Sequence, residues 1–153
     1  VQACIPFYGI YDFLVRNDQH PNRDAYERIL SGRELHETLE DKPDLWDEAC
    51  PVAQIHPDDP PLMIVHGTHD SLAAVSEGRV FSEKLREASR NPVVYLEMPG
   101  AEHAWEMVHS LRTEHTIEAV YQFLECARAE AAAESPTEDA TDIVRAMGSG
   151  SYP

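Results

Sequence analysis

Two residues in this chain are of the right type, and stand at the right places, to do chemistry together: Asp70 and His103. Asp70 lies four positions after His66, just beyond the apolar run Leu62-Met63-Ile64-Val65, and His103 lies five after Met98, beyond Val93-Val94-Tyr95-Leu96-Glu97-Met98. A carboxylate beside an imidazole holds the ring in one tautomer and stabilises the imidazolium that forms when the ring takes a proton. That serves proton transfer and the activation of a nucleophile. Singly, an Asp after a strand is an ordinary turn former and a His in a loop an ordinary surface residue. The expectation therefore depends on bringing the two runs to one edge.

The intervening sequence provides for this. Pro60-Pro61 leads into a buried strand near 61–67, closed by the turn Gly67-Thr68-His69-Asp70. Val80, Phe81, Leu85 and Ala88 then follow helical spacing over Ser76 to Ser89, with Ser76 able to cap, and Asn91-Pro92 stops the helix before a strand near 92–98. A strand, helix, strand unit with parallel strands is right-handed in nearly all cases, so both strands open their C-terminal ends to the same edge, where open α/β sheets bind ligands. Neighbouring strands lie roughly 4.8 Å apart, close enough for the two loops to touch.

The rest of the chain completes the layers. Val1 to Phe7, mostly apolar and followed by Gly9, suits a third strand inside a parallel sheet. Ile117, Val120, Tyr121 and Leu124 fall at i, i+3, i+4 and i+7, predicting a helix from Thr113 to about Ala133 that packs on the sheet by those residues. The fold class expected is an α/β three-layer α/β/α sandwich with a parallel sheet. Residues 10–57 are polar and broken by turn signals, among them His20-Pro21-Asn22, Ser31-Gly32 and Lys42-Pro43-Asp44, around one helical candidate, Arg23 to Leu30. So long a connection reads as a lid- or cap-like insertion. Residues 134–153 have the composition of a disordered tail, which leaves 1–133 as the domain.

Composition narrows the function classes. The 153 residues carry 28 acidic against 12 basic side chains, a formal net charge of −16, which repels nucleic acid and anionic lipid. No apolar run approaches the roughly 18 residues of a membrane span, and Val1-Gln2-Ala3-Cys4 lacks the basic start of a signal peptide. Cys4, Cys50 and Cys126 form no CxxC pair and read as packing residues in a reducing, cytoplasmic setting. His66, His69, Asp70 and His103 could gather at one edge as metal ligands, but no HExxH-type spacing occurs and alternation turns His66 away from its neighbour. No metal or cofactor is expected. A dinucleotide site lacks its G-x-G-x-x-G after the strand.

The runs Pro60-Pro61-Leu62-Met63-Ile64-Val65-His66-Gly67-Thr68-His69-Asp70 and Asn91-Pro92-Val93-Val94-Tyr95-Leu96-Glu97-Met98-Pro99-Gly100-Ala101-Glu102-His103-Ala104-Trp105 resemble bacterial carboxylesterases of the α/β-hydrolase superfamily, close to the hormone-sensitive-lipase-like branch. The resemblance covers about residues 1–128, with Val1 to Phe13 similar to the strand that follows the nucleophile helix. It implies that Asp70, in HG-x-x-D, is the triad acid and His103, in PG-x-x-H, the base. It further implies that Leu72 and Trp105 border an acyl pocket. Two departures stand out. Neither a G-x-S-x-G elbow nor an HGGG-type oxyanion loop occurs, and none of Ser31, Ser71, Ser76, Ser82, Ser89 or Ser110 lies in such a context. Ala73-Ala74 stands where many members carry Val-Pro. The chain thus reads as the C-terminal part of a serine esterase or lipase hydrolysing carboxylic esters. It is expected to be inert alone, to need an N-terminal half from the same gene or a companion chain, and to associate through its bare first strand, with a homo-oligomer as one form. The alternative is a non-catalytic partner-binding module of hydrolase-like fold.

Overall fold

The structure, a computed structural model, describes residues 1–14 and 27–134. In chain order these form a π-helical turn Leu30–Glu34, α1 (Pro43–Ala49), a 3-10 turn Pro51–Ala53, β1 (Leu62–Gly67), α2 (Val75–Ala88), β2 (Val93–Met98), a 3-10 turn Trp105–Met107 and α3 (Leu111–Glu134). The helical candidate Arg23 to Leu30 lies partly outside the described residues, and the expected tail lies outside them except for Glu134.

β1 and β2 pair in parallel, Leu62 opposite Val93 through Gly67 opposite Met98, as a strand–helix–strand unit requires. Every residue of β1 is buried. The pleat divides its side chains between two layers: Leu62 and Ile64 pack with Tyr11 and with Phe81 and Leu85 of α2, while Met63 and Val65 pack with Ala101, Trp105 and, from α3, Val120 and Phe123. Each such side chain, fully buried, contributes about 1.5–3 kcal/mol. The result is the three-layer α/β/α arrangement expected from the sequence.

The first segment lies beside β1 but is not a continuous strand. Parallel bridges join Cys4 to Leu62 and Phe7 to Val65, with backbone bonds from Cys4 N to Pro61 O (3.0 Å), Met63 N to Cys4 O (3.0 Å), Val65 N to Pro6 O (3.0 Å) and Tyr8 N to Val65 O (2.7 Å). Pro6 has no N–H, so the donor rung between Cys4 and Tyr8 is missing and the ladder is interrupted there.

Three local readings of the sequence need correction. α3 exists, but it packs through Thr113, Thr116, Val120, Phe123 and Ala127, while Ile117, Tyr121 and Leu124 are 62%, 63% and 43% exposed. Both faces of this helix carry residues at helical spacing, and the threonines can be buried because their hydroxyls are satisfied locally, Thr116 Oγ1 by Arg112 O and Thr113 Oγ1 by Val108 O, both at 2.8 Å. Ser76 does not cap α2; Ala74 occupies the cap position and no side chain bonds there. Lys42-Pro43-Asp44 opens α1 rather than a plain turn, with Pro43 in the first turn, where its missing N–H has no intrahelical partner to lose. α1 buries Trp46 completely against Leu30, flanked by Ile10, Phe13 and Leu35, and the indole N–H donates to Glu37 O at 3.1 Å, making a satellite core beside the sheet.

Candidate active site

The loops that leave β1 and β2 are joined by backbone bonds before any side chain of interest is placed. Thr68 N donates to Met98 O and His69 N to Ala101 O, each at 3.0 Å, and Gly100 N donates to Thr68 Oγ1 at 2.8 Å. Gly100 takes a left-handed conformation, φ +66°, which glycine adopts without strain. At Gly67 a Cβ would lie 2.4 Å from the Ala101 carbonyl oxygen, so only glycine lets the two loops cross this closely. Ser71 adds two bonds from its N–H and hydroxyl to Glu102, at 3.2 and 3.0 Å.

On this frame Asp70 and His103 meet. His103 Nδ1 donates to Asp70 Oδ2 at 2.9 Å; the Asp70 side chain is fully buried and that of His103 is 28% exposed. The other carboxylate oxygen accepts from the backbone N–H groups of Leu72 (2.9 Å) and Ala73 (2.8 Å), so both oxygens are held. With a carboxylate as acceptor the hydrogen sits on Nδ1, and Nε2 is the nitrogen left for a reacting partner.

His66 was placed away from this pair by strand alternation, yet it stands behind it. It follows Leu62 and Ile64 onto the α2 face, but the turn after β1 folds back, bringing its Nε2 to 2.9 Å from Ala73 O and 3.6 Å from Asp70 Oδ2. The ring is fully buried, its Nδ1 has no hydrogen-bond partner, and a Cβ on Gly78 of α2 would lie 2.9 Å from that atom. A buried imidazole that bonds Ala73, whose own N–H bonds Asp70, fixes the shape of the acid-bearing turn. The signal in sequence was its position at the end of a buried strand, four residues before the acid.

The front of the site is aromatic. The Tyr8 ring lies 4.1 Å from the His103 ring, inclined 51°, and its hydroxyl donates to Glu106. Burial, and then the Glu106 bond and charge, push the phenol up to about 12. Trp105 is 9% exposed and packs with Phe7 and Tyr8 at 6.0 and 5.7 Å, inside the core with Met63, Val65 and Ala101, its indole N–H buried without a partner. Leu72 is 59% exposed at the rim. The Ser71 hydroxyl, next to the acid, points to Glu102 and not to the imidazole. Tyr8 and Glu106 were missed by sequence reading, since nothing local links positions 98 apart. Among the described residues no group of three or more His, Cys, Asp or Glu is placed to hold a metal ion, and no helix is long and apolar enough to cross a membrane.

Comparisons with known proteins bear on the family and the fold. Residues 1–85 match the family model BD-FAE. The chain is 40% identical over 126 residues to the probable carboxylic ester hydrolase LipM of Mycobacterium tuberculosis, a match covering 81% of this chain and 28% of that protein. It is 33% identical over 124 residues to esterase LipC of the same organism, covering 81% and 30% respectively. Thus it spans under a third of the length of these curated relatives. Among solved structures, Thermogutta terrifontis esterase 2 phosphonylated by sarin superposes with a TM-score of 0.66 at 25% identity, over 81% of this chain and 43% of that one. With a family match over more than half of its 153 residues, the chain belongs to the BD-FAE family and carries part of the α/β-hydrolase fold of the carboxylesterases.

Proposed function

We propose that this chain supplies the acid and the base of a serine carboxylic ester hydrolase, Asp70 orienting His103 and His103 moving the proton. The observation that carries the reading is the 2.9 Å bond between His103 Nδ1 and a fully buried Asp70 carboxylate whose other oxygen is held by two backbone N–H groups. In that reaction Nε2 of His103 takes the proton of a serine hydroxyl as the serine oxygen attacks the ester carbonyl, then gives it to the departing alkoxide, leaving an acyl-enzyme. Water repeats the sequence: it loses a proton to Nε2, attacks the acyl carbon, and the serine leaves with that proton. The serine and the oxyanion donors come from a partner segment, an N-terminal half encoded by the same gene or by a companion chain, because neither motif occurs in this sequence. Leu72 and Trp105 would border the acyl group. The three free cysteines support a reducing, cytoplasmic setting.

The test is p-nitrophenyl ester hydrolysis by this chain and by the polypeptide extended upstream of Val1 in its gene, each with a His103→Ala control. Activity is expected only in the extended polypeptide, lowered about a thousandfold or more by the substitution. An extended polypeptide that is inactive, or indifferent to the loss of His103, would put a non-catalytic partner-binding module in place of the esterase.

A further inference from the structure

The bond to Asp70 fixes His103 at one atom only. A ring held through Nδ1 can still turn by coupled changes of χ1 and χ2, and any such turn carries Nε2 away from where a reacting group must be met; displacements near 1 Å are costly in such sites. Something has to hold the ring by its face. The Tyr8 ring packs against it, with centroids 4.1 Å apart and planes inclined 51°, and Tyr8 is itself held at three points. The backbone N–H of Tyr8 donates to Val65 O of β1 at 2.7 Å, its ring meets that of Trp105 edge to face with centroids 5.7 Å apart, and its hydroxyl donates to Glu106, one residue past that Trp.

The backbone gives an independent sign. Tyr8 has φ +40°, in the left-handed region that a bulky residue rarely adopts, and Ala104, immediately after His103, has φ +58°. Of the three non-glycine residues with positive φ among those described, one packs on the His103 ring and another directly follows His103 in the chain. Backbone in such regions persists where surrounding contacts over-determine it, and at Tyr8 those contacts are the Val65 bond, the Trp105 ring and Glu106.

We propose that Tyr8, locked by Glu106, is a positioning residue that clamps the face of the His103 imidazole and keeps Nε2 aimed. The proposal rests on the reading of His103 as the base. The aromatic ring is the working part, and the hydroxyl serves to hold it. When the imidazole becomes protonated, the aromatic face also attracts the cation.

The first experiment needs no activity. With ring-¹⁵N histidine in the 153-residue chain, the His103 proton bonded to Asp70 should give a far-downfield resonance that Asp70→Asn removes. Its exchange with water is expected to accelerate at least about tenfold in Tyr8→Leu and to stay within about threefold in Tyr8→Phe, which keeps the ring. Tyr8→Asn, which accepts positive φ, replaces Tyr8→Leu if the latter does not fold. In the upstream-extended polypeptide the ring-deleting variant should lose about tenfold in kcat with KM within about twofold, and Tyr8→Phe should restore most of the rate. A resonance present in the unsubstituted chain and unmoved by loss of the Tyr8 ring overturns the clamp alone. A resonance absent from the unsubstituted chain overturns the acid–base pairing, and the clamp with it.

Discussion

At the scale of single residues, the site depends as much on an absent side chain as on those present. Gly67 faces the Ala101 carbonyl so closely that a methyl group would sit 2.4 Å from its oxygen and 2.9 Å from its carbon, and both are backbone atoms that no rotamer change can move. Gly67→Ala must therefore push apart the two loops that carry Asp70 and His103. The expected outcome is a loss of about 2–4 kcal/mol in unfolding free energy, seen as a lower denaturant midpoint at unchanged slope, together with loss of the downfield His103 proton. Retained stability and a retained resonance would mean that the loops yield without separating. The meeting of Asp70 with His103 was legible in the sequence because each follows a strand within a few residues, so topology alone brings them to one edge. His66 was half legible: alternation gave its face correctly but not the folding back of the turn that follows it. Tyr8 was not legible, since its contact spans 95 positions of chain and depends on a left-handed backbone that its residue type disfavours.

At the scale of elements, hydrophobic periodicity located α2, α3, β1 and β2 to within two residues and put Phe81 and Leu85 of α2 in the core, but misjudged which face of α3 packs. α3 carries two stripes at helical spacing, and of the predicted one only Val120 packs while Ile117, Tyr121 and Leu124 stay outside, because buried threonines bonded to backbone carbonyls, Thr116 to Arg112 O and Thr113 to Val108 O ahead of the helix, cost little and let the other stripe reach the sheet. A period counts apolar residues; it does not count satisfied polar ones. The same blindness hid Glu77. In the first turn of α2, this carboxylate is 9% exposed and its Oε2 accepts from the backbone N–H groups of Tyr11 (3.1 Å) and Asp12 (3.0 Å), tying the end of the first segment to the helix while the Tyr11 ring stacks on Phe81 at 4.2 Å. Glu77→Ala leaves two buried donors unmade and is expected to cost about 2–3 kcal/mol, with Glu77→Gln, which retains an acceptor, losing less. Amide hydrogen exchange reads the tie directly: the Tyr11 and Asp12 amides should lose protection in the alanine variant ahead of those in β1. Equal loss throughout would show that the bond stabilises the fold as a whole and does not fasten one segment.

At the scale of the whole molecule, a backbone edge and a charge oppose each other. The first segment bridges β1 on one side at Cys4 and Phe7, and among the described residues no strand pairs with its other side, so that edge is open to a strand from another chain. Against this stands a formal net charge of −16, which makes two copies repel over a range of about 30 Å at 0.01 M salt but only about 3 Å at 1 M. Association should therefore rise with ionic strength, the opposite of what an assembly held by ion pairs would do. Sedimentation velocity at one protein concentration, under reducing conditions that exclude a disulfide through exposed Cys4, is expected to show mostly monomer at low salt and larger species at high salt. Cys4→Lys separates the two contributions. It lowers the net negative charge by one, which by repulsion alone would favour association, yet it places a charge on the open edge and should suppress it. If the variant associates as before while Tyr121→Lys abolishes the larger species, the contact lies on the exposed Ile117, Tyr121 and Leu124 stripe of α3. A clean monomer at both salt concentrations would show that Pro6, by interrupting the ladder, already blunts the edge enough to keep the copies apart.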